Sequence, residues 1–299
     1  MWHLDSITDS FTAAAAVDST KVVHNRAVAD LIRRIIQQFE QRGLAVHRGS
    51  RLHRYAALFA ADAENADDTH HKQLDLAMLE ALQFEAVRRS IETAHDWQRL
   101  STAIVQATAG NAEAILDRPD CKARSTQFEL FVWACVRAAG FQATLSEPDL
   151  TIQYGGGKVI AVAAKRPRSD RKVIKNIRAA CRQIANVPHD GIVALDLSFI
   201  GAMGKPIYVQ RAEHYQVLSK ILLDGFVHEH EQELCAAARG HNVVGILFHH
   251  SGVVRAVHDP ARLVSRRWAF LQTQPPPVHP EIARLISRLQ TLGRVGSLS

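Results

Sequence analysis

Asp149 and Lys165 are the residues whose types and spacing could do chemistry. Asp149 follows Pro148 and precedes a short apolar run, Gly155-Gly156-Gly157, and a second apolar run ending in Ala163-Ala164-Lys165. Two β segments joined by a glycine turn would hold the carboxylate and the amine near each other on adjacent strands. A carboxylate beside a lysine at the base of a hairpin suits metal-assisted cleavage of a phosphodiester, because Mg2+ is bound through one or two carboxylates and several waters. Glu129 is a third candidate. It lies between Phe128 and Leu130 in an apolar helix, where a carboxylate is costly unless it is paired or metal-bound.

The elements that must position these groups read as helix, three strands, helix, strand. Phe128, Leu130, Phe131, Ala134, Cys135, Ala138 and Ala139 predict a helix that Gly140 closes. Strands follow at Gln142–Leu145, Leu150–Tyr154 and Val159–Ala164, then a basic helix over Asp170–Asn186 and a β-rich run from Ile192 to Leu197. A helix over Arg211–Arg239 leads to a buried strand, Val243–Phe248. Val253–Val257 is expected to pair with that strand across Ser251-Gly252, and a helix over Pro280–Leu292 closes the chain after Pro275-Pro276-Pro277. This order predicts an α/β fold with a mixed central sheet flanked by helices.

Residues 1–118 read as helices only, a helical N-terminal domain for assembly or partner binding. Apolar periodicity predicts helices around Leu31–Phe39, Leu74–Val87 and Trp97–Val105, with Asp62–His71 as a polar loop. Arg118-Pro119-Asp120 marks the expected boundary with a second domain over residues 119–299.

Composition narrows the function classes. The 299 residues carry a formal charge of +6, which permits a polyanionic partner. Arg166, Arg171, Lys172, Lys175 and Arg178 make the helix after the hairpin a candidate phosphate track. The cysteines, at 121, 135, 181 and 235, have no CxxC spacing and read as reduced structural thiols of a cytoplasmic protein. The start lacks the basic region and long apolar core of a signal peptide, and no run approaches a membrane span. His228-Glu229-His230 and His249-His250 lack the spacing of a zinc helix, and His70-His71 lies in the polar loop, so all read as structural or surface residues. No Walker lysine follows the glycines, and no Ser/His/Asp arrangement stands out.

Glu129 on a helix, Pro148-Asp149, a glycine-rich hairpin, Lys165 at the end of the second strand and Gln183 on the next helix together resemble the PD-(D/E)xK nuclease superfamily, over about residues 124–197. The resemblance implies a restriction-endonuclease-like fold and a Mg2+- or Mn2+-dependent nuclease, most readily a DNA endonuclease. A part in defence against foreign DNA rests on family analogy alone. It implies that Asp149, the residue at position 163 and the Ala164 carbonyl hold the metal. It also implies that Lys165 orients or deprotonates the attacking water, that Glu129 holds a metal-bound water or second metal, and that Gln183 lies beside the site.

Position 163 departs from the pattern. Alanine offers no side-chain oxygen, so the chain as it stands is expected to be inactive or badly impaired. Three explanations stay open: a change made to trap an inactive form, a natural loss, or a carboxylate that has moved, with Glu129 serving beside Asp149. The alternative to an enzyme is a catalytically dead nuclease fold that binds nucleic acid or acts as a scaffold.

Overall fold

A computed structural model describes residues 21–23, 25–61, 68–94, 96–111, 122–200, 207–209, 214–256, 259–274 and 278–294. The N-terminal part holds α1 (Asn25–Gln41), α2 (Arg51–Ala60), α3 (Asp68–Ser90) and α4 (Trp97–Thr108). The helix bearing Glu129 is α5 (Ala123–Ala138), followed by β2 (Gln142–Leu145), β3 (Leu150–Tyr154) and β4 (Lys158–Lys165). Next come α6 (Val173–Ala185), β5 (Gly191–Asp196), β6 (Ile207–Val209) and α7 (His214–Ala238), then β7 (Val243–Ala256), β8 (Asp259–Gln272) and α8 (Pro280–Arg294).

The fold is α/β, with a mixed sheet flanked by helices. Its strand order is β1 (Lys21–Val23), β8, β7, β5, β4, β3, β2, with β6 added beside β7. The β4–β5 and β5–β7 pairs are parallel, whereas β2–β3, β3–β4 and β7–β8 are antiparallel. Side chains alternate across β4 as the pleat requires. Ile160, Val162 and Ala164 join the apolar cluster of α5 and the N-terminal helices, while Ala163 joins the cluster of α6 and α7. The turn between β3 and β4 uses Gly156 and Gly157 at φ of 72° and 83°, a left-handed backbone that glycine adopts without strain. Gly191 serves close packing instead. A Cβ there would meet the Ile184 side chain at 2.5 Å, so glycine lets α6 lie close on the sheet.

Three sequence expectations need correction. The N-terminal region is not helical throughout, because β1 pairs antiparallel with β8. The Ser251-Gly252 pair does not turn the chain: β7 runs unbroken through it, and its partner is β8 rather than Val253–Val257. Ser251 and Gly252 are buried, and the Ser251 amide donates to Ser198 Oγ at 2.8 Å, so a turn-prone pair is held extended by its neighbours. The arginines at 262, 266 and 267 hid the apolar character of β8. Finally, Asp68–His71 belong to α3 rather than to a loop.

Residues 62–67, Val257, Pro275-Pro276-Pro277 and the expected boundary at Arg118-Pro119-Asp120 lie outside the described residues. One apolar cluster is nevertheless continuous from α1–α4 through α5 to β3, β4 and α8. Among the described residues, no helix is long and apolar enough to cross a membrane.

Candidate functional site

Asp149 sits one residue before β3 and Lys165 ends β4. Leu150 pairs with Val162, and continuing that register by one residue sets Asp149 opposite Ala163. Asp149 Oδ2 accepts the Ala164 amide at 2.7 Å and Lys165 Nζ at 3.0 Å; the same ammonium donates to the Ala164 carbonyl at 3.1 Å. The two side chains are only 18% and 10% exposed, lysine first, which makes the contact more than a surface ion pair. Burial raises the Asp149 carboxyl, and the charge and hydrogen bonds of Lys165 and the Ala164 amide only partly draw it back.

Glu129 approaches from α5. Burial, and then the neighbouring Asp149 charge, push its carboxyl up to about 7, against the smaller pull of Lys165 and Lys122. Glu129 and Asp149 line one cleft of about 750 Å3, bounded by α4, α5 and the loop from Leu145 to Asp149. Two half-buried carboxylates with raised pKa values in one cleft mark a candidate site on physical grounds.

The remaining predicted positions divide. The Ala164 carbonyl is in place, sharing the Lys165 ammonium with Asp149. Ala163 is fully buried in the cluster containing Val173, Ile177 and Cys181. Gln183 lies beside Ile184, which packs over Gly191; Gly191 pairs with Ala161, four residues from Lys165. That is about 13 Å along the strand, and the structure does not bring Gln183 to the Asp149–Lys165 pair. Among the described residues, no group of three His, Cys, Asp or Glu side chains is arranged to hold a metal ion.

The basic track also divides. Arg171, Lys172, Lys175 and Arg178 are exposed. Arg166 is not part of that face, and its assignment to phosphate contact is corrected. Its side chain is 5% exposed, with Nε 2.8 Å from the Asp196 carboxylate, an ion pair by distance that lacks hydrogen-bond geometry. Nη2 donates to Gln83 Oε1 at 2.6 Å, Nη1 lies 3.6 Å from Glu80, and the guanidinium stacks near Phe128 and Phe199.

Arg166 thereby joins a buried network that sequence reasoning missed. Glu80 is fully buried between Arg51, Arg124 and Arg166, and it accepts the Tyr55 hydroxyl at 2.6 Å. The signal was legible: Glu80 interrupts Met78-Leu79 and Ala81-Leu82, as Glu129 interrupts its own apolar helix. On the far side Asp196 faces His249 Nδ1 at 3.1 Å, and His249 Nε2 lies 3.0 Å from Ser251 Oγ. A Ser-His-Asp chain therefore exists, contrary to the sequence reading. Its exposures of 2%, 0% and 0% seal it from any substrate. Burial lowers the His249 pKa, so the imidazole stays neutral and serves the core.

The other histidines and cysteines have structural places. His250 is buried, His228 is exposed, and His230 stacks on Phe226. Cys135, Cys181 and Cys235 are unpaired thiols on α5, α6 and α7, and Cys121 lies outside the described residues. No protein-family model matches the chain, and no curated protein matches its sequence.

Proposed function

We propose that the chain carries a restriction-endonuclease-like fold with a PD-(D/E)xK-type site for metal-dependent phosphodiester hydrolysis, DNA being the favoured substrate, and that Ala163 leaves it inactive or impaired. One observation carries the reading. Asp149 Oδ2 and the Ala164 carbonyl, the two oxygens expected to hold the ion, already converge on a single cation, the Lys165 ammonium. Oxygen donors of this kind suit Mg2+ or Mn2+. Glu129 supplies a further carboxylate in the same cleft.

The bound ion would stabilise charge on the phosphoryl oxygens and lower the pKa of a coordinated water. The chain's own groups do the rest. Asp149 and Ala164 fix the donor oxygens, because the hairpin register and the Ala164 amide set the carboxylate's position. Lys165, whose ammonium bridges Asp149 and the Ala164 carbonyl, would orient the attacking water beside those oxygens. Glu129, its carboxyl raised to about 7, would be suited to exchange a proton with a water in the cleft. The exposed cations of α6 would hold flanking phosphates.

A second reading has its own support. Ala163 fits a packed apolar cluster, as a residue kept for packing does, which favours a nuclease-like fold retained for nucleic-acid binding. Ala163→Glu separates the two. If the first reading holds, the variant cleaves DNA with Mg2+ or Mn2+, and adding Lys165→Ala abolishes cleavage. A buried carboxylate without an ion is costly, so Mn2+ should raise the melting temperature of Ala163→Glu more than that of the parent chain. A folded variant that binds DNA, gains nothing from Mn2+ and never cuts would establish the second reading.

A further inference from the structure

We infer that the cavity adjoining the Asp149 cleft is a phosphate-backbone groove for the strand lying in that cleft; the identity of its ligand rests on the nuclease reading above. The cavity encloses about 600 Å3 between the C-terminal end of α3, the start of α4, the end of α5 and the edge strand β2. It adjoins the cleft, with Asp96, Arg99 and Leu145 lining both and the Arg99–Leu145 hydrogen bond on the wall between them. Three guanidiniums, Arg89, Arg99 and Arg137, line it against the single carboxylate of Asp96.

The three guanidiniums are held in place before any ligand arrives. Arg89 pairs with Glu85 at 2.7 Å, Arg99 donates to the Leu145 carbonyl, and Arg137 lies 5.2 Å above the Trp133 ring. A preset planar fork loses little freedom on meeting a phosphate, which is why arginine suits backbone contacts. Asp96 caps α4, its carboxylate accepting the Arg99 amide, and its charge offsets only part of the cationic lining. The cleft and this groove share the α5 layer of the sheet, whereas the exposed cations of α6 lie on the other layer. A strand leaving Asp149 therefore meets the arginines of the groove before it could reach α6. Contacts of this kind read charge and not sequence.

The test uses the Ala163 chain and a fluorescein-labelled duplex DNA of mixed sequence, followed by anisotropy over a range of salt. The paired change Arg99→Gln and Arg137→Gln should weaken binding roughly tenfold and flatten the slope of log affinity against log salt by up to about two units. The paired change to Lys should keep most of that slope, separating lost charge from lost folding. A photo-cross-linking residue at Gln142 or Thr144, exposed on β2, should capture the probe with every arginine intact. An unchanged slope in a folded glutamine pair, no cross-link at β2, or no binding by the parent chain would overturn the inference. If Ala163→Glu cuts DNA while the glutamine pair binds normally, the groove fails and the nuclease reading stands. If arginine-dependent binding persists and Ala163→Glu never cuts, the groove stands and the nuclease reading fails.

Discussion

The molecule buries carboxylates in two places and treats them in opposite ways. Around Glu80 and Asp196, burial pushes both carboxyls up, but cations and hydrogen bonds outweigh it: Arg51, Arg124 and Arg166 at Glu80, Arg166 with the hydrogen bonds of His249 and Ser198 at Asp196. Both end well below the usual carboxylate range. Around Glu129 and Asp149 the same burial meets only Lys165, with a weaker pull from Lys122 on Glu129, and both carboxyls end raised. The first arrangement is closed to solvent and joins α2, α3 and α5 to the end of β4 and to β5. The second borders an open cleft. Burial costs the charged form in both; what differs is whether the fold itself supplies the countercharge. Where it does, the cluster is a clamp, and where it does not, there is room for a cation from outside. The two meet at neighbouring residues, because the clamp grips Arg166 and so fixes the strand end that carries Lys165.

Removing one charge from each cluster should give the largest contrast. Glu80→Gln takes the buried countercharge from Arg51 and Arg124, while Arg166 keeps Asp196, and is expected to cost about 3–5 kcal/mol. Asp149→Asn takes away a carboxylate whose ionised form is already penalised, and it should cost about 1 kcal/mol or less. Urea denaturation of both variants at neutral pH measures the difference. Similar losses would mean that the contrast between clamp and cleft is wrong.

The pH dependence of stability should have opposite signs in the two regions. Glu80 and Asp196 have depressed values, so their contribution is present above the unfolded carboxylate range and is lost as pH falls through their folded values. Glu129 is raised from 4.5 to about 7, so the folded state holds its proton more firmly. Its contribution is fully present below pH 4.5 and is lost as pH rises from there towards 7, by about 1.36 kcal/mol at most for each pH unit crossed. Denaturation midpoints at pH 5 and pH 7.5 read this directly. Glu129→Gln should flatten the decline; an undiminished decline in that variant would assign the titration elsewhere.

The smallest effect on folding is expected where no cluster is touched. Lys175→Ala with Arg178→Ala changes two exposed cations of α6, and stability should move by less than about 0.5 kcal/mol. The same pair should flatten the salt slope of DNA binding by up to about two units, as lost phosphate contacts do. An unaltered slope would leave α6 a solvated face and confine phosphate contact to the arginine groove.

Much of the fold was legible because local pattern and tertiary environment agreed. The helical periodicity of α1, α3 and α5, the strands β2 and β3 to the residue, and the glycine turn before β4 all follow from spacing that repeats over a few residues. The same spacing named Asp149 and Lys165 as partners, since a hairpin fixes which residues stand near each other, whereas Glu129 stands out as a carboxylate in an apolar helix. Legibility ended where distant segments decide. Ser251-Gly252 has the composition of a turn, yet it lies extended because Ser198 and β8 supply its hydrogen bonds. The three residues of β1 become a strand only because β8 offers an edge.

By itself, then, the sequence determined the α/β order, the basic exposed face of α6 and the hairpin that brings a carboxylate to a lysine, all of which rest on neighbours close in the chain. Only the tertiary structure decided which charges are spent inside. Arg166 reads like its neighbours in a basic run, but Glu80, 86 positions earlier, and Asp196, 30 later, converge on it and take it into the core. The arginines at 89, 99 and 137 are scattered in the sequence and face one groove only because α3, α4, α5 and β2 pack together. A charged residue's surroundings depend on elements far away along the chain, and no periodicity records them.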